Sequence, residues 1–181
     1  MKIYRAYKFR LYPTDEQKIL IHKTFGCSRF VYNYYLNYQK ENGVKKSSSL
    51  CKDLKELEKS HEYLKEVDSC ALRCSIFDLE DGFNNFFAKR NGYPRFKSKF
   101  NRQSYRTNCI RSTYKGKDYS NIEVDLLTRF IKLPKLGKVK IRGYRNKDRI
   151  EGKIVNATIS KETTNKYYVS VLVEEDILID K

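Results

Sequence analysis

Nineteen Lys and Arg residues fall between Lys89 and Arg149 against four Asp and Glu, a spacing suited to neutralising phosphates. The rest of the 181-residue chain is close to electroneutral, so nearly all of the formal charge of +16 sits in one third of it. Tyr93, Phe96, Phe100, Tyr105, Tyr114, Tyr119, Phe130 and Tyr144 are threaded through that same third. Cations displace counterions from a phosphodiester chain, and aromatic faces stack on unpaired bases. A lysine-rich surface kept basic for solubility would intersperse Glu and would need no rings. The pattern predicts a polyanionic partner, nucleic acid foremost.

Other chemistries are poorly supplied. Neither His22 nor His61 has a nucleophile and a carboxylate close in sequence, so both read as surface histidines on helices. There is no glycine-rich phosphate loop or dinucleotide-binding turn. Asp78, Glu80 and Asp81 crowd one helix, but residues two and three apart do not all share a face, so solvated charge is the expectation. Glu174, Glu175 and Asp176 read as polar protection of a strand edge. Five cysteines form no regular framework and suit free thiols. Cys70 and Cys74, four apart, read as a buried pair rather than metal ligands. No catalytic residue, metal or cofactor is expected. With no signal-peptide block and no apolar run long enough to cross a bilayer, the chain reads as an intracellular, soluble protein with no membrane partner.

The elements that must carry the basic residues follow from periodicity. Residues 2–12 alternate Tyr7, Phe9 and Leu11 with Lys8 and Arg10, which predicts a strand with one apolar and one cationic face. Pro13 stops it, and Thr14 or Asp15 caps a helix running to about Asn42, with a break expected near Gly26. Leu50, Leu54 and Leu57 mark a short amphipathic helix. The clearest helix runs from about Cys70 to Lys89 along the stripe Leu72, Ile76, Leu79, Phe83, Phe86 and Phe87, ending at Asn91-Gly92. After Phe100 the period becomes two, with strands expected at 104–110, 121–126, 129–133 and 138–142, and a hairpin at 153–160 and 167–174. Short strands of this kind suggest a small barrel or sandwich, which the first strand joins, so that the helical block is an insertion. The fold class is therefore α+β.

Several phrases are more specific than composition: Arg10-Leu11-Tyr12-Pro13-Thr14, then Phe25-Gly26-Cys27-Ser28-Arg29-Phe30-Val31-Tyr32-Asn33. Later come Gly92-Tyr93-Pro94-Arg95-Phe96-Lys97, Ser104-Tyr105-Arg106, and Ile131-Lys132-Leu133-Pro134-Lys135-Leu136-Gly137-Lys138-Val139. Ala157-Thr158-Ile159-Ser160 and Tyr167-Tyr168-Val169-Ser170-Val171 complete the series. In order and spacing these closely resemble the N-terminal half of TnpB (OrfB), a transposon-encoded family related to type V CRISPR effectors. The resemblance implies a wedge domain, a small oligonucleotide-binding-like β-barrel at 1–14 and 101–181, with a helical recognition domain inserted at 15–100. It implies RNA-guided DNA endonuclease relatives that bind a structured transposon-derived RNA and a short motif in double-stranded DNA beside the target. It also implies a cytoplasmic, nucleoid-associated prokaryotic protein. In the family, cleavage belongs to a later RuvC-like domain with magnesium and a zinc module. The chain reaches Lys181 about where that domain would begin, so binding without cutting is expected here.

The resemblance also assigns sites. Ser69 and Arg73 would face the motif bases, with Arg73 able to donate two hydrogen bonds to a guanine or to contact phosphate instead. Arg95, Lys97, Lys99, Arg102, Tyr105, Arg106 and Thr107 would follow a phosphate backbone, with Tyr93 and Phe96 seating that segment by packing. Lys8, Arg10, Lys132, Lys135, Lys138 and Lys140 would hold RNA or duplex through backbone charge. Arg29 and Asn33 share a helix face and would touch DNA or make a hydrogen bond within the fold. Two alternatives stay open: a fragment of an active endonuclease, and a repressor dimerising through its tyrosine-rich helix.

Overall fold

The computed structural model describes residues 1–143, 150 and 152–176; the expectations for Tyr144, Asp148, Arg149 and the stretch 177–181 lie outside the described residues. Strand β1 (Lys2–Tyr12) alternates as the sequence demands, burying Tyr7, Phe9 and Leu11. It hands over to helix α1 (Asp15–Asn42) through a capping box. The Gln17 N–H donates to Thr14 Oγ1 at 3.3 Å, and the Thr14 N–H donates to Gln17 Oε1 at 3.0 Å. The break expected at Gly26 does not occur, because Phe25, Cys27, Ser28 and Val31 around it are all buried. That burial outweighs the cost of about 1 kcal/mol for a mid-helix glycine.

Helix α2 (Ser47–Ser60) buries Leu50, Leu54 and Leu57. A 3-10 turn at Glu62–Glu66 leads to helix α3 (Ser69–Phe87), whose first turn is capped by the Asp68 carboxylate accepting from the Cys70 N–H. The α3 stripe Leu72, Ile76, Leu79 and Phe83 is buried, whereas Phe87 is exposed. This helix stops two residues short of the expected end near Lys89. The Arg90 N–H reaches Asn85 O and the Lys89 N–H reaches Phe86 O, a Schellman pattern. Lys89 supplies the left-handed turn with φ 56°.

Among the described residues eight strands follow β1: β2 (Gln103–Asn108), β3 (Arg111–Tyr114), β4 (Lys117–Ser120), β5 (Glu123–Asp125), β6 (Phe130–Leu133), β7 (Gly137–Arg142), β8 (Lys153–Lys161) and β9 (Tyr167–Asp176). Seven form one antiparallel sheet in the order β2-β8-β9-β1-β7-β6-β5, while β3 and β4 form a separate ribbon. β1 joins the later strands as expected, pairing with β7 and β9. The sheet is not a closed barrel: β2 and β5 are its edges, and no ladder joins them. The chain between those two strands is used in the β3–β4 ribbon, which the sequence reading missed. The Asn121 side chain helps to tie the segments beyond these edges together, accepting from the Ile110 N–H at 2.6 Å and donating to Asn108 O at 3.1 Å. β9 is also an interior strand, so Glu174 and Glu175 do not guard an edge as expected.

The chain divides into two compact units, Met1–Ile21 with Arg106–Lys181, and His22–Tyr105. In the first, one sheet face is the core: Tyr7, Phe9 and Leu11 with Ile131, Leu133, Val139, Ile141, Ala157, Ile159, Val169, Val171 and Val173. In the second, Val31, Tyr35 and Leu36 of α1 are buried, as are the leucines of α2 and the stripe of α3. No helix among the described residues is long and apolar enough to cross a membrane.

Candidate nucleic-acid interface

Strand alternation that buries one sheet face forces the intervening side chains outward. On β7 these are Lys138, Lys140 and Arg142, on β6 Lys132, and on β1 Lys8, Arg10 and Tyr12. Register then aligns them. Lys132 lies opposite Lys138, and Lys140 lies between Phe130 and Tyr12. Arg10 lies between Arg142 and Tyr168. Six cations and three rings thus share one face. Like charges placed directly opposite destabilise a sheet, so the arrangement calls for a polyanion.

The rings hold the cations up rather than bury them. The Arg10 guanidinium lies 5.3 Å from the Tyr12 ring centroid and 5.7 Å from that of Tyr168. Arg142 lies 5.5 Å from Tyr12, and Lys8 Nζ 4.4 Å from Tyr168. Cation–π contact keeps a positive group in place without neutralising it. Arg10 Nε is buried and has no hydrogen-bond partner among the described residues. Two carboxylates soften the margins: Glu123 pairs with Lys132 at 3.0 Å, and Glu162 with Lys8 at 3.6 Å.

The β6–β7 turn is anchored to the start of α1. Gln17 Nε2 donates to Leu136 O at 3.0 Å and Lys138 O at 2.9 Å, so the capping-box residue also fixes the height of the turn. Lys135 in that turn is exposed and takes φ 64°.

The helical unit carries its own cations, described here by themselves. Ser69 and Arg73 are exposed on the first turns of α3. Arg95, Lys97, Lys99 and Arg102 are exposed on the segment that follows α3. Lys97 Nζ lies 4.0 Å from the Tyr32 ring centroid, and Lys40 Nζ 4.3 Å from that of Phe96. Tyr93 packs edge-on against Phe83 and Phe86 at 5.4 and 5.2 Å, the packing role expected of it.

Four expected site residues are engaged in the fold. The Asn33 amide closes a two-way clamp on Lys97, donating to its carbonyl at 2.9 Å and accepting from its N–H at 2.8 Å. Arg29 Nη1 donates to Gln103 Oε1 at 2.8 Å. Both therefore make the hydrogen bonds within the fold that one of the two readings expected. Tyr105 and Thr107 are buried, because the inward phase of β2 includes them. Burial also raises the Tyr105 hydroxyl pKa well above the usual tyrosine range. Arg106 is half-buried between them.

The sequence reading missed Tyr12, Phe130, Arg142 and Tyr168. Arg142 shares its phase with Lys138 and Lys140, a signal that was legible. Tyr12 and Phe130 likewise share the phase of Arg10 and Lys132, whereas Tyr168 joins the face only through register. Three of the carboxylates singled out in the sequence are structurally occupied. Glu80 accepts from the Ser47 N–H at 2.8 Å and its hydroxyl at 2.7 Å, which holds its pKa below the ordinary value. Glu174 accepts from Lys2 at 2.6 Å and Tyr4 at 2.9 Å, with the same effect. Glu175 accepts from the Tyr7 hydroxyl and pairs with Arg5 at 3.2 Å. Among the described residues no group of three or more His, Cys, Asp or Glu side chains could hold a metal ion.

An open antiparallel sheet with one cationic, ring-bearing face, and a helical unit inserted in the chain after its first strand, define a mixed α+β protein. The helix-turn-helix domain family HTH_OrfB_IS605 matches residues 1–43, which here are β1 and an unbroken α1. The chain is 31% identical to a candidate RNA-guided DNA endonuclease, InsQ, of Escherichia coli (strain K12), across 98% of this chain and 42% of that protein. It is 39% identical to a candidate RNA-guided DNA endonuclease of Streptomyces pristinaespiralis, across 54% of this chain and 26% of that one. It is 33% identical to virulence protein VsdF of Salmonella dublin, across 52% of this chain and 93% of VsdF. The chain belongs to the OrfB/TnpB family. It spans less than half the length of either endonuclease relative.

Proposed function

We propose that this chain is the nucleic-acid-binding recognition half of a TnpB-like protein, with the sheet unit as its wedge domain. It holds double-stranded DNA beside a target and a structured transposon-derived RNA, and it binds without cutting. The observation that carries this is the outer sheet face, where Lys132 opposes Lys138 and Arg10 opposes Arg142 among three rings. Such a face is disfavoured alone and favoured on a phosphodiester chain. Ser69, Arg73 and the cations from Arg95 to Arg102 form the second contact set, on the helical unit. The relatives named as candidate RNA-guided endonucleases support the choice of both RNA and DNA. Binding without scission is supported by Glu80, Glu174 and Glu175, which are committed to cap and cross-strand contacts.

A salt titration tests the reading. Log affinity should fall against log salt with a slope of about −5 if the six sheet cations each neutralise a duplex phosphate. Binding that ignores salt overturns it, and sequencing the nucleic acid that copurifies separates RNA from DNA partners. Magnesium-dependent strand scission by the purified chain, lost when one of its carboxylates is replaced, overturns the non-cutting half.

A further inference from the structure

The β3–β4 ribbon belongs to none of the surfaces above. All four residues of β3 and the first three of β4 are exposed, so the ribbon packs almost nothing of its own into a core. It turns at Lys115 (φ 51°) and Gly116 (φ 71°), successive left-handed residues of the kind that tight hairpins require. Its root is held by Asn121 and by Ser120, whose hydroxyl donates to Ile122 O at 2.7 Å. The ribbon is pinned at its base and bare along its length, so its two exposed tyrosines are open to a partner.

Register sorts its side chains. Ser112 opposes Tyr119, and Tyr114 opposes Lys117, so these four share one face. Thr113 opposes Asp118 on the other, where the Thr113 hydroxyl donates to the carboxylate at 2.6 Å. The only acidic group of the ribbon is thereby turned away from the rings. Tyr114 and Tyr119 are 63% and 50% exposed. They are diagonal neighbours on one face, a separation within the reach of aromatic side chains, so both rings can contact a single base. Lys117 stands beside both rings on the same face, and Lys115 Nζ lies 5.4 Å from the Tyr114 centroid, ready for the flanking phosphates.

We infer that the β3–β4 ribbon is a separate clamp for unpaired RNA nucleotides, with Tyr114 and Tyr119 contacting a base while Lys115 and Lys117 hold its phosphates. Duplex is a poor occupant, because its base faces are already stacked and closed to the rings. RNA is favoured over single-stranded DNA by the Ser112 hydroxyl on the ring-bearing face, a donor and acceptor matched to a 2′-hydroxyl. The inference rests on the reading of the chain as an RNA-binding protein and names the part of the RNA this ribbon takes.

The full chain is titrated with three labelled probes: an RNA stem-loop, the same stem as a blunt RNA duplex, and a DNA stem-loop of the same sequence. Y114A/Y119A should weaken the RNA stem-loop about tenfold or more while leaving the RNA duplex unchanged, and Y114F/Y119F should restore the wild-type value. Thermal melting identical to wild type shows that the ribbon is changed and not the fold; should the alanine variant melt early, K117A alone is read, with a smaller loss confined to the stem-loop. Equal losses on stem-loop and duplex overturn the clamp, and an equal loss on the DNA stem-loop overturns its assignment to RNA. If wild type binds all probes and the alanine variant matches it, the clamp fails while the wider reading stands. If wild type binds none, both fail.

Discussion

Lys132 and Lys138 face each other across β6 and β7, so relieving that opposition has two measurable consequences of opposite sign. Lys138→Glu replaces a repulsive cross-strand pair by an attractive one, and should raise stability by about 0.5 kcal/mol in urea denaturation. The same change should weaken duplex binding and flatten the salt slope by about 1. A variant that loses both stability and affinity would count against the functional account of this face. Lys89 gives a simpler case, as a side chain in the left-handed position that closes α3. Lys89→Gly should stabilise the chain by about 1 kcal/mol, read from the shift in urea midpoint. At this scale the sequence disclosed much: the phase of Lys132, Lys138 and Lys140 follows from alternation alone. Tyr12 and Phe130 were legible in the same way, in phase with Arg10 and Lys132, whereas Tyr168 was hidden because it joins the face through a pairing between strands far apart in the chain. Arg29 and Asn33 show the converse. Their shared helical face was legible, but their partners Gln103 and Lys97 lie about 70 residues away.

At the scale of elements, Asn121 helps to tie together the segments beyond the sheet's unpaired edges at the root of the ribbon. Asn121→Ala removes two hydrogen bonds and should cost about 1–2 kcal/mol. Amide exchange should then quicken along β3 and β4 and leave β8 and β9 unchanged. Gly152 precedes β8 with φ 114°, where an added Cβ would run into the Glu174 carbonyl oxygen. Gly152→Ala should therefore destabilise by about 2–3 kcal/mol, measured by the same denaturation. Periodicity located β1, α2, α3 and the β8–β9 hairpin because each buries one regular face. It could not locate the β3–β4 ribbon, since residues with nothing to bury leave no apolar rhythm. It erred at Gly26 by weighing local propensity without the buried neighbours that keep α1 whole. Barrel closure was out of reach for a related reason, as it depends on whether two edges meet.

For the whole molecule, stability should fall at both ends of the pH range. Hydrogen bonds from Lys2 and Tyr4 depress the Glu174 pKa, those from Ser47 depress Glu80, and those from Thr128 depress Asp125. Each contributes stability above its unfolded value, near pH 4, and loses it as pH drops through the lower folded value. Burial raises the hydroxyl pKa of Tyr32, Tyr35 and Tyr105. These contributions are complete below about pH 10 and fade as the unfolded tyrosines ionise above it. Urea midpoints measured across pH should show a plateau between those limits, and a midpoint that keeps rising past pH 10 would contradict the burial of the tyrosines.

β1 occupies the middle of the large sheet, yet its neighbours β7 and β9 are made well over a hundred residues after it. A ribosome therefore releases Tyr7, Phe9 and Leu11 long before anything exists to cover them. The helices between have local contacts and can form early, whereas the sheet must wait for β9. Refolding followed by circular dichroism should recover the helical signal first, with sheet packing as the slow, aggregation-prone phase. Nascent chains held short of β9 should be the ones that chaperones retain.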